Sequence, residues 1–302
     1  MHRIYLLATL VLTVALLAGT GCAEEKAFEK KFQVGAGGTL SLSTDAGSVT
    51  VTGTSGSEVV VTATIQGRSS DVAKFVIEAQ QSGNNVEVTG KAPKDFWRFL
   101  HGNDLDIRFT ISVPVAYNVR MQTSGGDLSV GGLHGTVDGS TSGGNITVQK
   151  VEGPVKIETS GGDIRIDGLK GDMKAETSGG SVKVKNVVGN VDGETSGGNI
   201  SAEDVEGKVK LETSGGNVMI KVRGANKGIH AETSGGNVTI MIAKNVGAVI
   251  DAGTSGGEVV CDLPVVVSGK ISEDRVKGTV NGGGETIYAH TSGGNVRIKP
   301  LD

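Results

Sequence analysis

Residues 137–154 read VDGSTSGGNITVQKVEGP, and residues 155–172 read VKIETSGGDIRIDGLKGD. Placed one above the other, the two segments share the tetrapeptide Thr-Ser-Gly-Gly and the same order of apolar and polar residues. The tetrapeptide begins at Thr123, Thr141, Thr159, Thr177, Thr195, Thr213, Thr233, Thr254 and Thr291. The first six starts are 18 residues apart, and the later gaps are 20, 21 and 37 residues, the last predicting two coils with a degenerate tetrapeptide near Ser272. A period of this kind indicates a repeat architecture.

Each 18-residue unit carries two short runs in which apolar or small residues alternate with polar ones. In the first segment the runs are Val137, Gly139 and Thr141 before the glycines, and Ile146 and Val148 after them. Alternation with a period of two predicts β-strands. The glycine pair predicts a sharp corner, because glycine reaches positive φ and has no Cβ to collide with the next corner. The Asn or Asp after the glycines suits a turn and can form a side-chain ladder.

Two short strands cannot bury an apolar face alone, so the units must stack as coils around a shared core. The sequence therefore predicts an all-β fold, a single-stranded β-helix or solenoid with about 18 residues per coil. Stacked strands lie about 4.8 Å apart, so roughly ten coils would form a rod of about 50 Å. Eighteen residues also equal three hexads, as in a left-handed hexapeptide helix, but the aliphatic residues do not recur at one phase of each hexad. A right-handed coil is therefore favoured.

The chain is predicted to have four segments. Residues 1–21 are a signal peptide that is cleaved, and residues 22–34 are an N-terminal tether. Residues 35–115 form an irregular β region with a hairpin at 75–89 and an aromatic cap. Residues 116–302 form the regular β-solenoid of Thr-Ser-Gly-Gly repeats.

The N-terminus resembles a bacterial lipoprotein signal. Residues 4–17 are an apolar run, too short for a membrane span of about 20 residues. Cys22 follows small residues and would carry the lipid, although Gly19 stands where the lipoprotein pattern prefers leucine. The alternative is ordinary cleavage near Gly21, with Cys22 unmodified. Lipidation predicts an exported, membrane-anchored protein of the outer membrane, periplasm or cell surface, with the lipid membrane as the partner of its anchor.

Three further motifs carry a family resemblance. Residues 44–49 read TDAGSV, residues 112–114 read SVP, and the repeats read Ser-Gly-Gly-Asp/Asn-Ile/Val. Together they resemble bacterial DUF4097 proteins, which are related to the candidate adhesin head domains of the GIN type. The resemblance covers nearly all of the mature chain. It implies a β-helix-like fold and an exported, adhesin-like or scaffold role, and it brings no catalytic residues.

The sequence predicts no enzyme, no cofactor and no metal site. The stretch Gly253-Thr254-Ser255-Gly256-Gly257 matches the G-x-S-x-G pattern, but it lies in a repeat rather than in a strand-to-helix turn. The four histidines of the mature chain are isolated and show no ligand spacing. They are His101, His134, His230 and His290. A net charge of −4 with both signs interspersed argues against a nucleic-acid partner.

One candidate site is a column of acidic residues that precede the tetrapeptide in five consecutive units. They are Glu158, Glu176, Glu194, Glu212 and Glu232. On a solenoid they would stack outward and repel one another, which suggests a cation-binding or electrostatic contact stripe. The alternative is that neighbouring Lys156, Lys174 and Lys210 pair with them, at about 0–1 kcal/mol for each exposed pair.

The second candidate is the aromatic segment that contains Phe96, Trp97, Phe99 and Leu100. A solenoid needs its open core covered, so the segment is predicted to be a cap. The alternative is an exposed tip that contacts a partner or the membrane.

Together these features predict an exported cell-envelope lipoprotein with a non-enzymatic binding, adhesin-like or structural role. Its partner would be a glycan or protein at the cell envelope. A polysaccharide-acting β-helix enzyme is one alternative, although the coils at 123–232 are too uniform to hold a cleft. An envelope signalling accessory that binds a protein partner is another.

Overall fold

The computed structural model describes residues 24–93, 105–267 and 272–301. This part of the chain forms 27 strands in two sheets and one short helix, α1, Ser69–Val72. The strands of the first half are β1 Glu24–Gln33, β2 Thr39–Thr44, β3 Ser48–Thr54, β4 Glu58–Gly67, β5 Val76–Ser82, β6 Asn85–Lys91, β7 Asp106–Pro114, β8 Asn118–Thr123, β9 Leu128–His134, β10 Val137–Thr141, β11 Ile146–Glu152, β12 Val155–Thr159, β13 Ile164–Lys170 and β14 Met173–Thr177. The others are β15 Val182–Val188, β16 Val191–Thr195, β17 Ile200–Glu206, β18 Val209–Thr213, β19 Val218–Val222, β20 Ile229–Thr233, β21 Val238–Ile242, β22 Ala248–Thr254, β23 Val259–Cys261, β24 Val265–Val267, β25 Arg275–Val280, β26 Thr286–Thr291 and β27 Val296–Pro300.

Each regular coil gives one strand to each sheet, which confirms the predicted all-β solenoid. Sheet I has 13 strands, in the order β1-β4-β7-β3-β9-β11-β13-β15-β17-β19-β21-β27-β23. Sheet II has 14 strands, in the order β24-β25-β22-β26-β20-β18-β16-β14-β12-β10-β8-β2-β6-β5. Neighbouring coils pair in parallel, with Val155 opposite Met173 and Ile146 opposite Ile164. The handedness of the coil stays a prediction.

The core lies between the two sheets. In β12, Val155, Ile157 and Thr159 are buried while the residues between them are exposed, as alternation in a strand requires. In β13, Ile164 and Ile166 point into the same core. Because every coil repeats this pattern, the apolar side chains form one continuous cluster along the solenoid.

The regular strands of sheet I contain a bulge, which interrupts the alternation of buried and exposed residues after the second buried residue of the strand. The pairing passes from Gln149 opposite Asp167 to Val151 opposite Leu169, and Lys150 is left unpaired between them. Lys150 has a φ of 52°, in the left-handed region, and the same position in later coils is also left-handed. Those residues are Gly168, Asn186 and Asp204. The bulge turns Val151 into the core, which plain alternation would have placed outside.

The second glycine of each tetrapeptide makes the corner possible. A Cβ on Gly180 would lie 1.9 Å from the carbonyl oxygen of Gly162 in the preceding coil. A Cβ on Gly179 would have its nearest neighbour, the oxygen of Gly161, at 3.5 Å, an ordinary contact. Neither Gly179 nor Gly180 has a left-handed φ, and among the tetrapeptide glycines only Gly126 does. The predicted need for positive φ is therefore wrong at these corners, and close backbone stacking is the reason for glycine.

The buried threonine of the tetrapeptide ties consecutive corners together. The Thr177 hydroxyl donates to the carbonyl oxygen of Gly162 at 2.9 Å, and it accepts from the amide of Gly180 at 3.3 Å. An outer ladder adds to this, because the Asn217 amide N–H donates to Oδ1 of Asn199 at 2.8 Å. The predicted asparagine ladder is thus confirmed, because both the backbone N–H and the side-chain amide of Asn217 donate to Oδ1 of Asn199.

Strand order departs from sequence order at both ends of the solenoid. The coil of β2 and β3 lies between β6/β7 on one side and β8/β9 on the other. At the C-terminal end, β26 and β27 insert between β20/β21 and β22/β23. On the far side of β22, strand β25 pairs antiparallel with β22, and β24 pairs antiparallel with β25. The predicted second coil near Ser272 is therefore wrong, because this stretch includes an antiparallel pair.

The N-terminal region is more regular than the sequence suggests. Part of the segment assigned to a tether is strand β1, which pairs antiparallel with β4 and buries Phe32. The predicted hairpin is confirmed by β5 and β6, which turn at Gly83 and Asn84. No helix within the described ranges is long and apolar enough to cross a membrane.

The corner geometry predicts a difference between the two glycines of one tetrapeptide. Gly180→Ala should destabilise the protein by about 2–4 kcal/mol, because its Cβ meets backbone that cannot move alone. Gly179→Ala, the matched control, should cost about 0.5 kcal/mol or less. Denaturant midpoints followed by circular dichroism measure both. Equal midpoints for the two variants would show that corner stacking does not require the second glycine.

Candidate functional site

The outward face of sheet II carries two parallel columns of polar side chains, which we call the ionic stripe. Its first column is Arg120, Asp138, Lys156, Lys174, Asp192, Lys210 and His230. Its second column is Gln122, Ser140, Glu158, Glu176, Glu194, Glu212 and Glu232. The five glutamates of the sequence analysis therefore lie opposite one another on adjacent strands.

Lysines of the first column pair with glutamates of the second. Lys174 forms an ion pair with Glu176, and the hydrogen bond between them raises the pKa of Lys174. The Lys210 ammonium lies 2.9 Å from Oε2 of Glu212, and that hydrogen bond raises the pKa of Lys210. Exposed pairs of this kind contribute about 0–1 kcal/mol each, which offsets the repulsion between stacked carboxylates. In these coils the structure therefore favours the ion-pair interpretation of the column.

The C-terminal end of the ionic stripe is different, because β26 lies beside β20. The inserted strand places Tyr288 opposite His230 and His290 opposite Glu232. The rings of His230 and Tyr288 stack with centroids 4.6 Å apart, and those of Tyr288 and His290 stack at 4.1 Å. We call these three rings the ring stack. The prediction that the histidines are isolated is wrong for His230 and His290, which the strand insertion brings together.

Asp251, on β22, lies beside the ring stack on the side away from His230. Its carboxylate lies 3.2 Å from Lys277, 3.4 Å from Arg275 and 3.5 Å from Nε2 of His290. Burial raises the pKa of Asp251, but the hydrogen bond and charge of Lys277, the charge of Arg275 and the contact with His290 outweigh burial and leave the pKa below its ordinary value. A Cβ on Gly253 would lie 2.7 Å from the His290 ring, so glycine leaves room for that ring.

On the near side of the ring stack, His230 lies between two carboxylates. Its Nε2 atom is 3.1 Å from Oε1 of Glu212 and 3.5 Å from Oε2 of Glu232. One ligand atom from each of these three side chains lies within 4.8 Å of the others, so the group could hold a metal ion. The sequence did not predict a metal site here, because its histidines show no ligand spacing along the chain.

Sheet I has a second polar outward face, with an open depression. Its lining includes Thr147, Gln149, Arg165, Asp167, Lys183 and Lys185. Beside it, Glu203 bridges Lys185 at 2.9 Å and Lys221 at 3.5 Å. The hydrogen bond with Lys185 lowers the pKa of Glu203. Because cations and carboxylates are paired here, this face differs from the carboxylate–histidine cluster of sheet II.

Several sequence candidates lie outside the described residues. They are Cys22, Phe96, Trp97, Phe99, Leu100 and His101. The lipid anchor and the aromatic cap or tip therefore stay predictions. Cys261, the other cysteine, is partly buried at the edge of the core, and burial raises the pKa of its thiol.

Stacked two-strand coils, a buried threonine column and polar outward faces define a β-solenoid. The chain belongs to the Toastrack DUF4097 family, whose model matches residues 38–299. This confirms the family resemblance of the repeats. No curated protein matches the sequence.

Three solved structures are similar to this chain at low identity. A candidate adhesin from Bacteroides fragilis is 14% identical, with a TM-score of 0.39, over 91% of this chain and 97% of that one. A candidate cell adhesion protein from Clostridium sporogenes is 13% identical, with a TM-score of 0.24, over 91% and 100%. A candidate lipid-binding protein from Parabacteroides distasonis is 11% identical, with a TM-score of 0.41, over 91% and 97%. Family membership rests on the family match.

The Asp251 contacts predict a pH-dependent contribution to stability. The folded-state pKa of Asp251 is lowered, so its stabilisation is present above the unfolded-state pKa of about 3.9 and is lost as the pH falls through the folded-state pKa. Asp251→Asn should therefore reduce stability by about 1 kcal/mol at pH 7. The difference from wild type should shrink in strong acid.

Thermal unfolding at pH 7 and at pH 3 measures this effect. Asp138→Asn is the control, because its carboxylate is exposed and lies 3.6 Å from Arg120. That variant should change stability less at pH 7. A constant difference between Asp251→Asn and wild type across this pH range would contradict the prediction.

Proposed function

We propose that this protein is an exported envelope lipoprotein that binds an extended glycan or protein ligand through the outward face of sheet II, without catalysing a reaction. The observation that carries the proposal is the ionic stripe. Its residues repeat on neighbouring strands in fixed register, from β8 to β20. Solenoids of this kind offer long surfaces, on which many weak contacts add up to useful affinity.

The proposed lipid anchor is supported by the position of Cys22 in the sequence. Only Ala23 separates Cys22 from Glu24, where strand β1 begins. Two residues span at most about 7 Å, so a lipid on Cys22 would hold the β1 end of the solenoid close to the membrane surface. The ionic stripe, which runs from β8 to β20 on sheet II, would then extend away from the bilayer toward its ligand.

The anchor is tested by fractionating bacteria that express wild type, Cys22→Ser or Cys261→Ser. Wild type and Cys261→Ser should stay with the membrane, whereas Cys22→Ser should be released as soluble protein because it lacks the lipid acceptor. Protease added to intact cells should cleave the anchored wild type if the solenoid faces outward. A Cys22→Ser protein that remains in the membrane fraction would refute the lipid anchor, and protection of wild type from protease would refute surface display.

Binding is tested with purified protein on glycan arrays and on immobilised envelope proteins of the same cells. The triple variant E158Q/E176Q/E194Q should bind at least about tenfold more weakly than wild type, because it loses three charges of the ionic stripe. Lys183→Gln, on the outward face of sheet I, is the control and should bind as wild type does. If the triple variant keeps full affinity for every ligand that wild type binds, the ionic stripe is not the binding surface.

A further inference from the structure

We propose that Glu212, His230 and Glu232 form a binding site for a divalent transition-metal ion of the zinc type. The site lies on the outward face of sheet II, where the ionic stripe meets the ring stack. It goes beyond the proposed function, because ligand binding by the ionic stripe requires no metal.

The distances between the ligand atoms fit a metal centre. Nitrogen and oxygen ligands lie about 2.1 Å from zinc, so two ligands of a tetrahedral ion are about 3.4 Å apart. Nε2 of His230 is 3.1 Å from Oε1 of Glu212 and 3.5 Å from Oε2 of Glu232. All three atoms lie within 4.8 Å of one another, which is close enough for them to share one ion.

The Nε2 atom of His230 is available as a metal ligand. Nε2 of His230 is shielded from solvent and has no hydrogen-bond partner, although Oε1 of Glu212 is within hydrogen-bond distance. A shielded imidazole nitrogen that lies between two carboxylates without a hydrogen-bond partner can take a metal ion as its partner.

The neighbouring residues hold the three ligands in place. The His230 ring stacks on Tyr288 with an angle of 7° between the ring planes, which fixes its orientation. Lys210 binds Oε2 of Glu212 at 2.9 Å, which leaves Oε1 free to face Nε2 of His230. Supporting contacts of this kind orient metal ligands in known sites.

The chemistry of the ligands selects the class of ion. Imidazole together with carboxylate suits Zn²⁺, Co²⁺, Ni²⁺ or Cu²⁺ better than Ca²⁺ or Mg²⁺, which prefer oxygen ligands alone. Two carboxylates balance the charge of a divalent ion. Because Glu232 is 53% exposed, the fourth position faces solvent and can take water or a carboxylate from a bound ligand.

The rest of the ionic stripe supplies internal controls. Glu158, Glu176 and Glu194 stack in the same way, but Lys156, Lys174 and Asp192 stand where His230 stands. The other histidine of the ring stack is unsuited to a cation, because its neighbour Asp251 already contacts Arg275 and Lys277. Within the described part of the chain, His230 is therefore the one histidine that lies beside two glutamates of the second column.

The test is a titration of the full chain, purified without a polyhistidine tag, with Zn²⁺ by isothermal calorimetry. Wild type should bind one equivalent, and the variants His230→Lys and Glu232→Gln should bind at least about tenfold more weakly. Glu194→Gln, a matched change in the same column, should bind as wild type does. His230→Lys introduces the residue type that Lys156, Lys174 and Lys210 supply at the same position of other coils, so it should fold, and circular dichroism checks this.

A second measurement uses wild type alone, so it does not depend on how the variants fold. Co²⁺ bound to the site should show the visible absorption bands of a tetrahedral centre, and Zn²⁺ should shift the imidazole NMR signals of His230. Absence of saturable one-to-one binding, unchanged His230 signals at saturation, or equal affinity of wild type and folded His230→Lys would each overturn the proposal. An equal loss of affinity in Glu194→Gln would also overturn it, by showing that the whole acidic column attracts cations without a defined site.

Discussion

The structure depends on how closely the backbone of one corner approaches the corner of the next coil. At the second glycine of the regular corners, any Cβ would lie about 2 Å from the carbonyl oxygen of the preceding coil, as at Gly180 and Gly198. The backbones therefore meet at a single register, and the hydroxyl of a buried threonine such as Thr177 joins the same two corners. A slip of one residue would place a side chain in this contact and turn the core residues outward.

Fixed register also shapes the outer surface. Because each residue lies opposite its equivalent in the next coil, a position that repeats in the sequence becomes a column on the solenoid. This stacks Glu158 on Glu176 and requires compensation by neighbours such as Lys174. A single exchange within a column changes the local chemistry without disturbing the core. His230 stands where Lys210 stands in the coil before it. This difference gathers the side chains of Glu212, His230 and Glu232 into a group that could hold a metal ion.

The insertion of coils out of sequence order gives the two ends their special features. At the C-terminal end, β26 lies between β20 and β22, which assembles the ring stack from strands that are distant in the chain. At both ends, antiparallel strands such as β1 and β24 succeed the parallel coils. Outermost strands can recruit other chains, and here these are β1 and β23 in sheet I and β24 and β5 in sheet II.

The sequence by itself determined the all-β fold, the 18-residue spacing of paired residues, the hairpin of β5 and β6 and the outward column of glutamates. These follow from local periodicity, because the alternation of apolar and polar residues fixes which side chains a strand buries. The tertiary structure decided the order of the coils, the left-handed bulge at Lys150 and the meeting of His230 with Tyr288 and His290. Regular coils present nearly the same edge to any neighbour, so the local pattern does not specify which coil lies beside which. That choice depends on how the whole chain packs and covers its ends.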